Sequence, residues 1–275
     1  MQNKSTPTEK TQLGFTLLEL LVVISIIGVL ASMFVFGYAG WTDKARLANT
    51  KSFSQSVRSK IGFNVVGQWT FDDGTARDVS GNGNNGTIYG ATPVTGVMGN
   101  ALQFNGTSDY LSVNDSVSLG PQLITITAWV FPTAYQYYAN VVTKRYPAQY
   151  ILRFYNYDGR IQGYIYGGVA WRACTTATTV VAPLNEWSFL VFTYNGQNGK
   201  VYINGKEGCS FNYTGTIDSS NSALRIGSYY TGSNTNERFK GIIDDVAIYS
   251  EPFMITQVQQ LYAEGLTKRG LVLKF

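Results

Sequence analysis

The side chains that could carry chemistry are few, and their spacing is informative. Histidine is absent, so no Ser-His or Cys-His dyad can be assembled. Glycoside hydrolysis needs two carboxyl groups flanking one bond, and on a strand residues two apart share a face. No Glu-x-Asp-x-Glu word occurs, and the later glutamates, Glu186, Glu207, Glu237, Glu251 and Glu264, are scattered. The acidic pairs Asp72-Asp73 and Asp244-Asp245 are adjacent, so on a strand they would point to opposite faces. The inventory predicts a protein that is not an enzyme. What remains is one carboxylate in an unusual place, two cysteines, a few acidic turns and 19 tyrosines.

The unusual carboxylate is Glu19. From Phe15 to Ala39 it is the only side chain charged at neutral pH. As a helix rising about 1.5 Å per residue, this segment would cross a bilayer core. A lone carboxylate there is expensive and marks a functional site. Pairing with an ammonium group would offset that cost and fix the axial register of one helix against the next. The alternative is an ordinary signal anchor that tolerates one glutamate near its end.

The order Gly14-Phe15-Thr16-Leu17-Leu18-Glu19 and the apolar run to Ser32 resemble the class III signal of type IV pilins and pseudopilins. The resemblance implies cleavage after Gly14 by a prepilin peptidase and N-methylation of the new terminus, Phe15. It implies that Glu19 neutralises the amino terminus of a neighbouring subunit during filament assembly. Residues 1–14 would then be a leader. Residues 15–62 would be a hydrophobic helix and stem, about 70 Å long if continuous. The partners implied are the peptidase, further copies of the same chain, and the inner membrane before assembly. The product would be an extracellular filament at the cell surface.

Charge follows this division. The formal net charge is +4, and Lys44, Arg46, Lys51, Arg58 and Lys60 against Asp43 account for it, while residues 61–275 balance. That stem face would be solvated or buried in filament contacts. Nucleic acid is not an expected partner.

Past Val66 the texture becomes short strands and turns. Ile124–Phe131 alternates with period two. Asp158-Gly159 and Asn204-Gly205 are hairpin signals, each flanked by strand-like runs. Strands are also expected at Tyr150–Tyr157, Arg160–Tyr166, Ser188–Tyr194, Leu224–Ser228 and Gly241–Tyr249. A short helix is expected at Met254–Ala263. Such a pattern, with sparse charge and abundant glycine, argues an antiparallel sandwich.

Several words resemble the LamG-like family, the concanavalin A-like jelly rolls. They are Trp69-x-Phe71-Asp72-Asp73-Gly74, Asp78-x-Ser80-Gly81-Asn82-Gly83, Leu102-x-Phe104-Asn105-Gly106, Ala128-Trp129-Val130, Val201-Tyr202-Ile203-Asn204-Gly205-Lys206 and Gly241–Tyr249. The fold class is therefore mainly β: a long N-terminal α-helical stem, then an antiparallel LamG-like β-sandwich over residues 66–263. Residues 264–275 are a tail or a final strand.

The resemblance also implies a structural Ca²⁺ near the first loop and the last long strand, with Asp78, Asn82 and Asp244 in the matching places. The alternative is that Asp78 caps a tight turn and Asp244 bonds nearby amides. Cys174 and Cys209 are expected to pair in an oxidising compartment, two buried thiols being the alternative. Closing that loop would add roughly 3–4 kcal/mol.

Tyr135, Tyr137, Tyr138 and Tyr146 fall between Pro132 and Pro147, a stretch that reads as a loop. They are the candidate contacts for a glycan or a surface protein, against the alternative of sheet pairing. The sequence thus describes a pilus-like filament subunit with an adhesive head. A pseudopilin of secretion or DNA uptake, and a membrane-anchored carbohydrate-binding protein, are the alternatives.

Overall fold

The computed structural model describes residues 17–27, 64–97, 99–145, 149–229 and 237–268. The chain divides into two units, Met1–Val57 and Arg58–Phe275. In the first, residues 17–27 form helix α1. Its apolar side chains are exposed, from Leu17 at 83% to Val23 at 45%. Glu19 lies on this helix. Among the described residues no helix is long and apolar enough to cross a membrane. Gly14, Phe15 and the expected continuation of the stem to residue 62 lie outside the described residues.

The second unit is built from two antiparallel sheets. The first sheet takes the order β13-β12-β11-β6-β15-β4-β3, with β1 also paired to β15. Its central strands are β6 (Ile124–Ala134), β11 (Ser188–Tyr194) and β15 (Lys240–Tyr249), flanked by β12 (Asn198–Ile203) and β13 (Lys206–Asn212). The far edge holds β4 (Asn100–Asn105), β3 (Thr92–Thr95) and β1 (Val65–Trp69). The second sheet runs β10-β9-β8-β7-β14-β5-β2. These are β10 (Ala170–Thr175), β9 (Arg160–Gly167), β8 (Tyr150–Tyr155), β7 (Asn140–Lys144), β14 (Leu224–Ile226), β5 (Tyr110–Val113) and β2 (Gly86–Tyr89).

Alternation decides which side chains meet between the sheets. In β9, Ile161, Gly163 and Ile165 are buried while Arg160, Gln162, Tyr164 and Tyr166 are not. In β6, Ile124, Ile126, Ala128 and Val130 join a core that includes Phe104, Leu152, Phe154 and Phe192. Burying such side chains contributes about 1.5–3 kcal/mol each. Gly163 is required where it stands, because a Cβ there would lie 2.4 Å from the Phe192 ring.

β15 is the hinge of the first sheet's register. Residues Lys240–Ile243 pair with β4, and Val246–Tyr249 pair with β1. The edge partner changes at Asp244-Asp245, where the register against β6 also shifts. Asp245 takes φ 44° there. So the acidic pair sits in a bulge.

The opposite face of the first sheet is covered by helix α2 (Ile255–Lys268). It starts where Met254 N–H donates to the Gln257 side chain at 2.8 Å, one half of a capping box. Tyr262 stacks on Trp129 and Phe189, with ring centroids 5.8 and 6.4 Å apart. α2 is longer than the expected Met254–Ala263. The stretch read as a loop between Pro132 and Pro147 is instead the end of β6, a turn at residues 135–139, and β7. Pro132 fits inside β6 because the register against β15 shifts beside its partner Gly241.

Candidate functional site

The outward face of the second sheet carries an unbroken run of rings and guanidinium groups. Pairing sets its rows. Trp171 lies opposite Tyr166 across β10 and β9. Tyr164 lies opposite Ile151, and Gln162 opposite Arg153, across β9 and β8. Core residues alternate with these, so the polar and aromatic set is forced to the other side.

The contacts are tight. Trp171 packs against Tyr166 and Tyr164, with centroids 5.0 and 5.2 Å away. The Arg153 guanidinium lies 4.5 Å over Tyr164 and 3.7 Å over Tyr138. Tyr138 continues to Tyr137 at 4.0 Å, and Tyr137 to Tyr157 at 6.0 Å. Tyr138 reaches this place from a left-handed backbone, φ 53°, in the turn between β6 and β7. Tyr137, Tyr157 and Trp171 remain exposed at 39, 63 and 39%.

Arg153 is buried and held in place. Its Nε and Nη2 donate to Gln162 Oε1 at 3.2 and 3.0 Å, and Nη2 also reaches the Tyr164 hydroxyl. Burial pulls its pKa down, opposed by the Tyr164 and Tyr138 phenols and by Glu237. Burial raises the Tyr164 phenol. At the end of β7, Arg145 lies over two rings, 4.9 Å from Trp171 and 4.0 Å from Tyr229. Glu237 stands close enough to act electrostatically on both arginines. Burial raises the Glu237 carboxyl, and the two arginines oppose that shift.

The four tyrosines expected to bind a ligand are separated. Tyr137 and Tyr138 belong to the run. Tyr135 does not: it packs against the core and donates its hydroxyl to the Ala182 carbonyl at 2.9 Å. Tyr146 lies outside the described residues. Sequence reasoning missed Arg145, Arg153, Tyr229 and Glu237. The hairpin aromatics Tyr157, Tyr164, Tyr166 and Trp171 were legible as possible contacts, ranked behind the four tyrosines, but nothing local marks Arg145 or Glu237.

Asp78 works as a loop cap. Its Oδ1 accepts N–H bonds from Gln68 and Ser80 at 3.0 and 2.9 Å, and Oδ2 accepts from Asn84 at 2.8 Å. The Asn82 side-chain amide donates to the carbonyls of Val65 and Val66. Asp244, fully buried, accepts the Val97 N–H at 2.8 Å in the turn between β3 and β4. Among the described residues no group of three His, Cys, Asp or Glu side chains could hold a metal. Cys174 and Cys209 are bonded, with Cα atoms 5.9 Å apart. The bond joins β10 to β13, the edge strands at the same end of the two sheets.

Comparison with known proteins follows these two units. Residues 10–35 match the prokaryotic N-terminal methylation motif. Residues 105–259 match the concanavalin A-like lectin/glucanases superfamily. A fimbrial protein of Moraxella nonliquefaciens is 32% identical over 111 residues, 36% of this chain and 72% of that one. The chain belongs to the type IV pilins and, by its head, to the concanavalin A-like superfamily. A second relative of this pilin is the type IV narrow pilus major component of Thermus thermophilus, 30% identical over 37% of the chain and 85% of that protein.

The pilin's head is similar in fold to domain 4 of an extracellular arabinanase from Geobacillus stearothermophilus, solved with arabinotriose. The TM-score is 0.61 at 22% identity, covering 72% of this chain and 98% of that one. The binding domain of Paraclostridial Mosquitocidal Protein 1 gives 0.64 at 18%, covering 74% and 53%. These identities speak for the fold alone.

Proposed function

We propose that this pilin is a structural subunit of a type IV pilus-like filament whose head binds glycans. In this reading the precursor is anchored in the inner membrane, cut after Gly14 and methylated at Phe15. The exposed apolar side chains of α1 then pack against neighbouring copies. Glu19 neutralises the amino terminus of the next subunit. The methylation motif and the two pilin relatives support this half.

The run from Trp171 to Tyr157 carries the other half. Flat rings set beside fixed hydrogen-bonding groups are what a sugar needs: ring faces for its C–H surface, polar edges for its hydroxyls. The arabinotriose bound to the similar arabinanase domain supports a saccharide ligand. In this reading the head works by binding, and among the described residues Glu237 is the carboxylate that bears on the arginines of the run. The Asp78 loop is ordered by backbone N–H groups that donate to both carboxylate oxygens.

Filaments displaying the wild-type head should be retained on immobilised polysaccharide, and filaments carrying Trp171→Ala should elute early. Equal retention of both would remove this face from the function.

A further inference from the structure

At one end of the aromatic run the polar groups are not complementary to each other. The Arg145 guanidinium lies over two rings, 4.9 Å from the Trp171 centroid and 4.0 Å from that of Tyr229. A guanidinium held against rings keeps N–H groups that can grip a carboxylate with two parallel bonds. Among the described residues, Arg145 is in no ion pair. Nearby, Glu237 Oε2 is buried and accepts no hydrogen bond. A buried acceptor left unmade is costly and asks for a donor.

Charge completes the description. Two arginines and one glutamate bear on each other here, and each arginine feels Glu237 as its carboxylate neighbour. The Arg145 and Arg153 charges also oppose one another. The cluster therefore carries one excess positive charge, partly screened from water. Glu237 is not tied up in neutralising either arginine, because no direct ion pair forms among the described residues.

We infer that the end of the run formed by Arg145, Trp171, Tyr229 and Glu237 is a subsite for an acidic sugar, a glycan residue that bears a carboxylate with a hydroxyl beside it. The sugar carboxylate takes the Arg145 edge, and Arg153 adds its field from behind. The hydroxyl donates to the Glu237 carboxylate. Trp171 offers the apolar surface. A neutral sugar would satisfy Glu237 but would leave the excess charge unmatched. This inference rests on the glycan-binding reading and narrows it.

The test uses matched ligands on the full chain in detergent micelles. Oligosaccharides of uronic and sialic acids are compared with the same oligosaccharides after reduction of the carboxyl group to an alcohol. The acidic member of at least one pair should bind about tenfold or more tightly at low salt, with the difference shrinking as salt is raised. Arg145→Gln should abolish the preference while leaving weak binding of the neutral member. Equal or tighter binding of the neutral members overturns the acidic subsite and leaves the glycan-binding face intact. No binding of any member overturns both. Because the decisive comparison is between ligands on the wild-type protein, it does not depend on the variant folding.

Discussion

Removing the Cys174–Cys209 bond should loosen the binding face as well as the fold. The bond pins β10, the edge strand that carries Trp171, to the edge of the other sheet. The separation is 35 positions. In the chain-entropy model a loop of that length costs the unfolded state about 13 cal/mol/K, which is about 4 kcal/mol at 25 °C. For a domain of this size that is a drop in Tm of about 8–15 °C. The perturbation is the double substitution Cys174→Ser with Cys209→Ser, which leaves no stray thiol. Chemical denaturation gives the midpoint and the slope. Hydrogen exchange should show lost protection at residues 170–175 before the central strands open. Binding to immobilised polysaccharide should weaken, since Trp171 and through it Arg145 lose their fixed position. A loss below about 1 kcal/mol, with unchanged protection in β10, would refute the idea that the bond holds that strand in place.

Three further outcomes follow from single contacts. Gly265→Ala should destabilise by about 1–3 kcal/mol, because its Cβ would fall 2.3 Å from the Trp129 ring; a denaturant midpoint unchanged from wild type would contradict this packing of α2. Asp78→Ala should cost about 2–4 kcal/mol, since three backbone N–H groups lose a charged acceptor, and chelation of divalent cations should leave the wild-type midpoint unmoved. Glu237→Gln should stabilise the head at neutral pH. The folded carboxyl titrates above its ordinary range, so ionising it opposes folding. The advantage should be full above that raised pKa and fade as pH falls toward the ordinary carboxylate range; melting curves across pH 3–8 read it directly, and a constant difference would contradict the sign.

Much of the fold was legible because local signals agreed with the global one. Arg160–Tyr166 alternates cleanly because one face meets the core and the other does not. Asn204-Gly205 announced its two-residue turn because both positions need positive φ, here 53° and 75°. Pro93 and Pro132 hid strands. A proline reads as a strand breaker, yet β3 lies on a sheet edge and β6 shifts register at Pro132, so neither loses a needed ladder bond. β7 escaped notice because it sits between Pro132 and Pro147. β10 reads Ala-Trp-Arg-Ala-Cys-Thr, with no alternation to mark it.

The site was less legible than the fold. Tyr137 and Tyr138 were recognisable as aromatic contacts in a connecting segment. Tyr135, two positions earlier, was indistinguishable from them in sequence, although its ring turns into the core. Arg153 sits in Tyr-Ile-Leu-Arg-Phe-Tyr, which reads as a buried strand, and it is buried, but against ring faces instead of aliphatic core. Arg145 comes from the end of β7, while Tyr229 and Glu237 come from the connection between β14 and β15. Only the pairing of β14 with β7 brings the two segments together, so no local pattern could have announced them.

The central claim is that this chain is processed and assembled as a pilin. The most direct measurement is mass spectrometry of the mature amino terminus in filaments sheared from cells. The account predicts a chain that starts at Phe15 and carries an N-methyl group. A chain that keeps Met1, or one cut at another position, would contradict it.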